Sequence, residues 1–168
     1  MIASTIDYAG RQLDMELLQH VATPVNQRVY PAVDHWKDGS GPSIVTGMQK
    51  VVQRYAKLLL TDIGSVKFDE SLGGELLTDI RKGKIQSNSY LEFVFNVASH
   101  NAVQKMMYDD NNTDVYGDSP DDEKITEARL VDYELRPETA TIYVHVEIET
   151  RAGEMFTYVI PVRMGISR

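Results

Sequence analysis

The stretch I-T-E-A-R-L-V-D-Y-E-L at residues 125–135 decides the fold, because it opens a run of three strand-like segments that reaches residue 164. Strand geometry sends alternate side chains to opposite faces of a sheet. One predicted face therefore carries Ile125, Glu127, Arg129, Val131, Tyr133 and Leu135. Glu127 and Arg129 thus fall on the apolar face, where burying either charge alone would cost several kcal/mol. We predict that the two side chains pair as a buried clamp.

Two further strands are predicted to follow, so that residues 125–165 form a β-meander. The middle segment, 139–150, has the clearest alternation in the chain, with its apolar face formed by Ile142, Val144, Val146 and Ile148. The last segment, 155–164, contains Pro161, which cannot donate a hydrogen bond to a neighbouring strand. We therefore predict that the last strand lies at an edge of the sheet.

Two main helices are predicted before the meander. The first follows Pro42 and ends before Gly64, with apolar residues three or four positions apart. Its remaining positions are polar and are predicted to face solvent: Gln49, Lys50, Gln53, Arg54 and Lys57. The second covers residues 89–108, and a strand at 91–97 is the alternative interpretation. Shorter elements are a helix over 13–21, an extended arm or short edge strand over 25–33, and a helical turn over 75–80.

The length of 168 residues predicts a single domain, 1–168. It divides into an N-terminal arm with a short helix at 1–42, a helical part at 43–108, an acidic loop at 109–124 and the meander at 125–165. The predicted fold class is α/β in the α+β arrangement, in which helices pack on a small, largely antiparallel, three-stranded C-terminal sheet.

Two loops carry apolar or acidic residues of interest. The glycine-rich segment 61–77 contains Val66, Phe68 and Leu72, which predicts a loop packed against the body of the protein. The segment lacks the lysine of a phosphate-binding loop.

The acidic loop contains a D-x-N-x-D pattern that is typical of the start of a calcium site. However, Val115 occupies the position that needs glycine, and Asp121 occupies the position that needs glutamate. We interpret it as an exposed connector without a metal.

Composition restricts the partners. A net charge of −8 disfavours nucleic acid, because binding to phosphates depends on lysine and arginine. The chain has no cysteine, so disulfides, thiolate metal sites and a cysteine nucleophile are excluded. No signal peptide and no membrane-spanning run is recognisable, so we expect a cytoplasmic protein until assembly. We expect protein partners and no cofactor.

Enzymatic sites are weakly indicated. No two histidines have the spacing of a helical zinc site, and no G-x-S-x-G motif occurs. Glu127 on an apolar face could serve as the general acid of a glycosidase. Arg129 on the same face would instead hold Glu127 ionised and lower its pKa. A structural pair is therefore the favoured interpretation.

The order of elements over residues 43–165 resembles the sheath-initiator family of contractile phage-tail baseplates. The family's Thr-x-x-Gly and the glycine-rich loop that follows match Thr61, Gly64 and Gly73, and its Glu-Pro-Arg motif falls on residues 127–129. This chain keeps both charged residues of that motif but has Ala128 in place of the proline. The type VI secretion baseplate subunit shares the same layout.

The resemblance implies a non-enzymatic subunit, present in multiple copies around the tail tube, that nucleates the first ring of sheath. Its partners would be the tail sheath protein and baseplate wedge and hub or tail-tube proteins, with no nucleic acid and no membrane. Its location would be the virion tail baseplate, and the host cytoplasm during assembly. The last strand would then offer the sheath a β-edge formed by Phe156, Thr157, Tyr158, Val159, Ile160, Val162 and Arg163.

Two alternatives follow from the same resemblance. Some relatives are described as peptidoglycan-cleaving tail lysozymes, and that activity predicts cell-wall clearing that Glu127→Gln abolishes. The chain could also be a type VI secretion subunit rather than a phage one. No residue separates that possibility from the phage assignment.

Overall fold

Short strands occupy the N-terminal part of the chain. The structure is a computed structural model that describes residues 14–15, 18–22, 27–31, 44–70, 72–112 and 119–164. The first strands are β1 (Asp14–Met15), β2 (Leu18–Ala22), β3 (Gln27–Pro31) and β4 (Ile44–Val45). The helix predicted over 13–21 is wrong where its residues are described. Pairing of β2 with β3 outweighs a short helical pattern, since tertiary context routinely overrides local propensity.

Three helices follow, namely α1 (Met48–Leu59), α2 (Leu76–Arg81) and α3 (Asn88–Asn111). Helix α1 starts later than predicted because β4 pairs with β1 and Gly47 has a φ of 62°, outside the helical region. Helix α3 is confirmed over its predicted range, and the alternative strand is wrong. The Ser87 side chain caps α3 by accepting a 3.2 Å hydrogen bond from the Tyr90 N–H.

The predicted meander is confirmed as strands β5 (Ile125–Arg136), β6 (Thr141–Thr150) and β7 (Met155–Arg163). Both neighbouring pairs are antiparallel. The apolar face of β6 is almost completely buried, as its alternation predicts, through Ile142, Val144, Val146 and Ile148. Helices on this face and a C-terminal antiparallel unit make the fold α+β.

The sheet continues beyond the meander. Five strands lie in the order β2-β3-β7-β6-β5, with β3 parallel to β7. The prediction that the last strand is an edge is therefore wrong. Pro161 removes one hydrogen-bond donor, but β3 meets β7 at Val159, two residues earlier, where donation remains possible.

One hydrophobic core joins the helices to the sheet. It contains residues from all three helices and from the inner face of β5, β6 and β7. Its largest fully buried side chains are Tyr55, Tyr158 and Phe95. The helices thus cover one face of the meander, and the other face carries its polar residues.

The acidic segment differs from the prediction at both ends. Helix α3 continues to Asn111, and Asp110 within it is buried. A 3-10 turn, Asp121–Glu123, leads directly into β5, and Ser119 and Glu123 are buried. The exposed-connector prediction is wrong for these residues because their polar groups contact the body of the protein. Residues 113–118, including Asp114 of the calcium-like pattern, lie outside the described residues.

Candidate functional site

The predicted buried clamp is wrong, because Glu127 and Arg129 lie on the outer face of the sheet. Irregularities in the β5–β6 register occur between Ile125 and Glu127 and between Leu130 and Asp132. At each irregularity β5 contains one extra residue relative to β6, so the side chains after it point to the opposite face of the sheet. The half-buried apolar side chains of β5 are consequently Ala128, Leu130 and Tyr133, which pack against the core.

Arg129 pairs across the sheet instead of with Glu127. Its Nε donates a 2.6 Å hydrogen bond to Oε1 of Glu147, the residue directly opposite on β6, and Nη2 contacts the same oxygen. The Arg129 side chain is 57% exposed. Exposed pairs of this kind contribute about 0–1 kcal/mol. Arg129 and Glu147 therefore shape the outer surface rather than anchor the core.

Glu127 is exposed on the same outer face, directly opposite Glu149. A glycosidase acid needs an apolar enclosure that raises its pKa. An open sheet surface supplies no such enclosure. The geometry around Glu127 thus gives no support to the lysozyme alternative.

Lys50 and Glu123 form the most deeply buried charge pair among the described residues. Lys50 Nζ lies 2.8 Å from Glu123 Oε2, and the Gly47 N–H donates a 3.0 Å hydrogen bond to Oε1. Glu123 is completely buried, and Lys50 is buried as well. The pair ties the start of α1 to the turn that precedes β5. It performs the structural role that the sequence interpretation gave to Glu127 and Arg129.

A second group of polar contacts lies farther along α1. Arg54 Nη1 donates a 2.7 Å hydrogen bond to Oδ1 of buried Asp110 at the end of α3. Tyr55 Oη donates to Ser99 Oγ at 2.8 Å, and Ser99 Oγ donates to the Ala128 carbonyl at 3.2 Å. Burial raises the pKa of the Tyr55 phenol. These contacts link α1, α3 and β5.

The solvent-facing prediction for α1 is therefore wrong for part of the helix. Gln49 and Lys57 are exposed, but Lys50 and Gln53 are buried, and Arg54 is half-buried. Spacing alone does not distinguish a polar residue that faces water from one that faces a buried carboxylate. Glu123 lies two residues before Ile125, the buried first residue of β5, and this spacing could have indicated that Glu123 is buried as well. The other acidic residues around Glu123 made the segment look exposed.

The loop after α1 has a backbone that only glycine allows at one position. Gly73 has a φ of +98°, and a Cβ there would lie 2.2 Å from the Thr61 carbonyl oxygen. The Gly74 N–H donates a 2.9 Å hydrogen bond to the same oxygen, and the Ile63 N–H donates to the Gly74 carbonyl at 3.1 Å. The two ends of the loop are thus held together by close backbone approach.

The tip of this loop contradicts the prediction that it packs against the body. Val66 and Leu72 are half-buried, but Phe68 is fully exposed. The closure at Thr61 and Gly73 fixes the ends of the loop and leaves its middle to project. The segment therefore presents an apolar side chain to solvent.

The two ends of the sheet differ in their suitability for strand addition. At one end, β5 carries two register irregularities and many charged side chains, which are features that discourage pairing with another strand. At the other end, β2 pairs with β3 in unbroken register from Leu18 to Ala22. Among the described strands, β2 has no second neighbour.

Within the described ranges, no group of three or more histidine or carboxylate side chains could hold a metal ion. No helix in the described part of the chain has the length and apolar character needed to cross a bilayer.

The chain was also compared with known proteins. No protein-family model matches it, and no curated protein matches it either.

Proposed function

We propose that this chain is a structural subunit of a contractile phage-tail baseplate that nucleates sheath assembly by β-sheet extension. The sequence resemblance suggests the assembly, and the arrangement of the sheet supports strand addition as its mechanism. The observation that carries the mechanism is the difference between the two ends of the sheet. One end is irregular and charged, and the other is a regular strand with a free side among the described strands.

The proposed sheath contact lies at the β2–β3–β7 end. A strand of a sheath subunit would add there through main-chain hydrogen bonds, which provide affinity and register. Two modes are compatible with this location. The strand pairs with β2 while the β2–β3 hairpin stays in place, or it pairs with β7 after displacing the hairpin from its parallel pairing with β7, whose described register joins Arg28 to Val159.

The remaining partners belong to the same proposal. Baseplate wedge and hub or tail-tube proteins would contact the surfaces that the sheath leaves free, and several copies would surround the tail tube. The location would be the tail baseplate of the virion, and the host cytoplasm during assembly. In this role the buried pair of Lys50 and Glu123 keeps the sheet in a fixed position relative to the helices.

Site-specific crosslinking tests the location of the sheath contact. The absence of native cysteine allows single cysteines to be labelled with a benzophenone maleimide without a background reaction. Suitable positions are Gln19 in β2, Thr157 in β7 and, as the matched control, Val131 in β5. After assembly with the sheath protein and irradiation, we expect a crosslinked band from Gln19→Cys, Thr157→Cys or both.

The pattern of bands separates the two modes. Crosslinking from Gln19→Cys alone indicates addition to β2, and crosslinking from Thr157→Cys alone indicates that the hairpin has moved. A band from Val131→Cys alone, or no band from any position, would contradict the proposed contact.

A further inference from the structure

Helix α3 carries an apolar stripe that the rest of the described chain leaves uncovered. Tyr90, Phe93, Val97 and Tyr108 are all exposed, although Phe93 and Val97 are large apolar residues on a helix whose other side is buried in the core. Residues three, four or seven positions apart share one face of a helix. Exposed apolar residues that are contiguous in this way mark interaction sites.

A groove runs between this stripe and the loop that follows α1. One cavity of about 270 Å³ is lined by Ile63, Phe93 and Val97 together with Asp79 of α2. A second cavity of about 320 Å³ adjoins it, and the two share Gly73 and Asn101. The two adjoining cavities thus provide enough volume for side chains of a bound segment.

The charges of the groove are acidic at the end near α2. Both charged residues among those lining the first cavity are carboxylates, Glu75 and Asp79. Asp79 is buried, accepts a 2.9 Å hydrogen bond from Tyr90 Oη, and forms a 2.7 Å ion pair with Lys84. Glu75 is exposed and forms no salt bridge with another described residue. Glu75 is therefore the carboxylate with room for an incoming cation.

At the other end of the groove, the charged residue among the described lining residues is a lysine that is already paired. Lys105 lines the second cavity, and its Nζ lies 3.6 Å from Asp69 and 3.3 Å from Asp109. Two carboxylates thus more than neutralise this ammonium group. An acidic partner would meet repulsion at both ends, whereas a basic side chain is attracted at the α2 end.

We propose that this groove binds an apolar segment of a partner protein that carries a lysine or arginine at one end. The apolar side chains of the segment pack against Ile63, Phe93 and Val97, and the cation pairs with Glu75. This interface lies on the helical side of the fold. It does not depend on the sheath contact proposed for the sheet.

Selection from a random twelve-residue peptide display library against the full chain tests the proposal. We expect enriched peptides to combine two or more large apolar residues with a lysine or arginine near one end. Val97→Asp should weaken their binding at least about tenfold, because it places an unpaired carboxylate in an apolar contact. Glu75→Gln should weaken binding about threefold, as expected for a partly exposed ion pair, and should reduce its salt dependence.

A matched variant controls for general effects of a surface aspartate. Val131 on β5 is 56% exposed and Val97 is 48% exposed, so Val131→Asp makes the same change away from the groove and should leave binding unchanged. Circular dichroism verifies that both variants are folded. The proposal is overturned if no peptide is enriched, if basic residues are not enriched, or if Val97→Asp binds normally. Sedimentation showing a dimer that Val97→Asp dissociates would assign the groove to a second copy and overturn it as well.

Discussion

Replacing Glu123 by alanine should lower the free energy of unfolding by roughly 3–5 kcal/mol, the usual cost of removing one partner of a buried ion pair. The change leaves the Lys50 ammonium group buried without its closest carboxylate, and it removes the acceptor of the Gly47 N–H. Urea unfolding of the purified chain measures the loss. The urea concentration at the midpoint of unfolding should fall. The slope of the unfolding free energy against urea concentration should stay unchanged if the native state keeps its compactness.

The exposed pair of the outer sheet face provides the control. Glu147→Ala removes a carboxylate of the same chemistry from its pair with Arg129, and should cost less than about 1 kcal/mol. Equal losses for Glu123→Ala and Glu147→Ala would show that the buried pair does not hold α1 to the start of β5.

A double change of Lys50→Met with Glu123→Leu should recover much of the stability, since apolar replacement of both partners is often neutral or better.

Replacing Gly73 by alanine is expected to destabilise the protein by about 3 kcal/mol or more, through backbone strain and a steric clash together. The φ of +98° is one that side-chain-bearing residues rarely adopt, and the new Cβ would lie 2.2 Å from the Thr61 carbonyl oxygen. The Cβ position is fixed by the backbone of residue 73 and the Thr61 oxygen is itself backbone, so the clash cannot be relieved without opening the loop. Thermal unfolding followed by circular dichroism provides the measurement.

Gly64 is a glycine of the same loop without the clash. Its φ is +74°, and a Cβ there would meet nothing within 4 Å. Gly64→Ala should therefore cost only the conformational penalty of about 1–2 kcal/mol. If Gly73→Ala were no more harmful than Gly64→Ala, the close approach between Thr61 and Gly73 would not be required for folding.

The regular elements could be predicted because their side chains follow a simple period. The alternation in β6 identified its buried face correctly at Ile142, Val144, Val146 and Ile148. Apolar spacing likewise predicts helix α3, which extends beyond the predicted range at both ends. Periodicity predicts these elements well because burial of one face is what selects the residues.

The faces of β5 could not be predicted from the same alternation. An irregularity in strand pairing changes which residues point inward, yet it leaves no mark in the pattern of residue types. Ile125 and Leu130 are both inward-facing, although they are five residues apart and a regular strand would send them to opposite faces. The predicted clamp of Glu127 and Arg129 failed for this reason alone.

Long-range contacts account for the remaining differences. The hairpin of β2 and β3 lies beside β7, more than one hundred residues later in the chain, so local sequence contains little information about the pairing. The burial of Lys50 likewise depends on Glu123, which is distant in sequence. The interaction partner, rather than the residue type, determines whether such a lysine is exposed or buried.

Electron microscopy of tails assembled without this chain tests the central claim most directly. Under the proposed function, deletion of its gene should yield baseplates and tubes that lack a sheath, and supplying the wild-type chain should restore sheathed, contractile tails. Normally sheathed, contractile tails in the absence of the chain would contradict its proposed role as the subunit that nucleates the sheath.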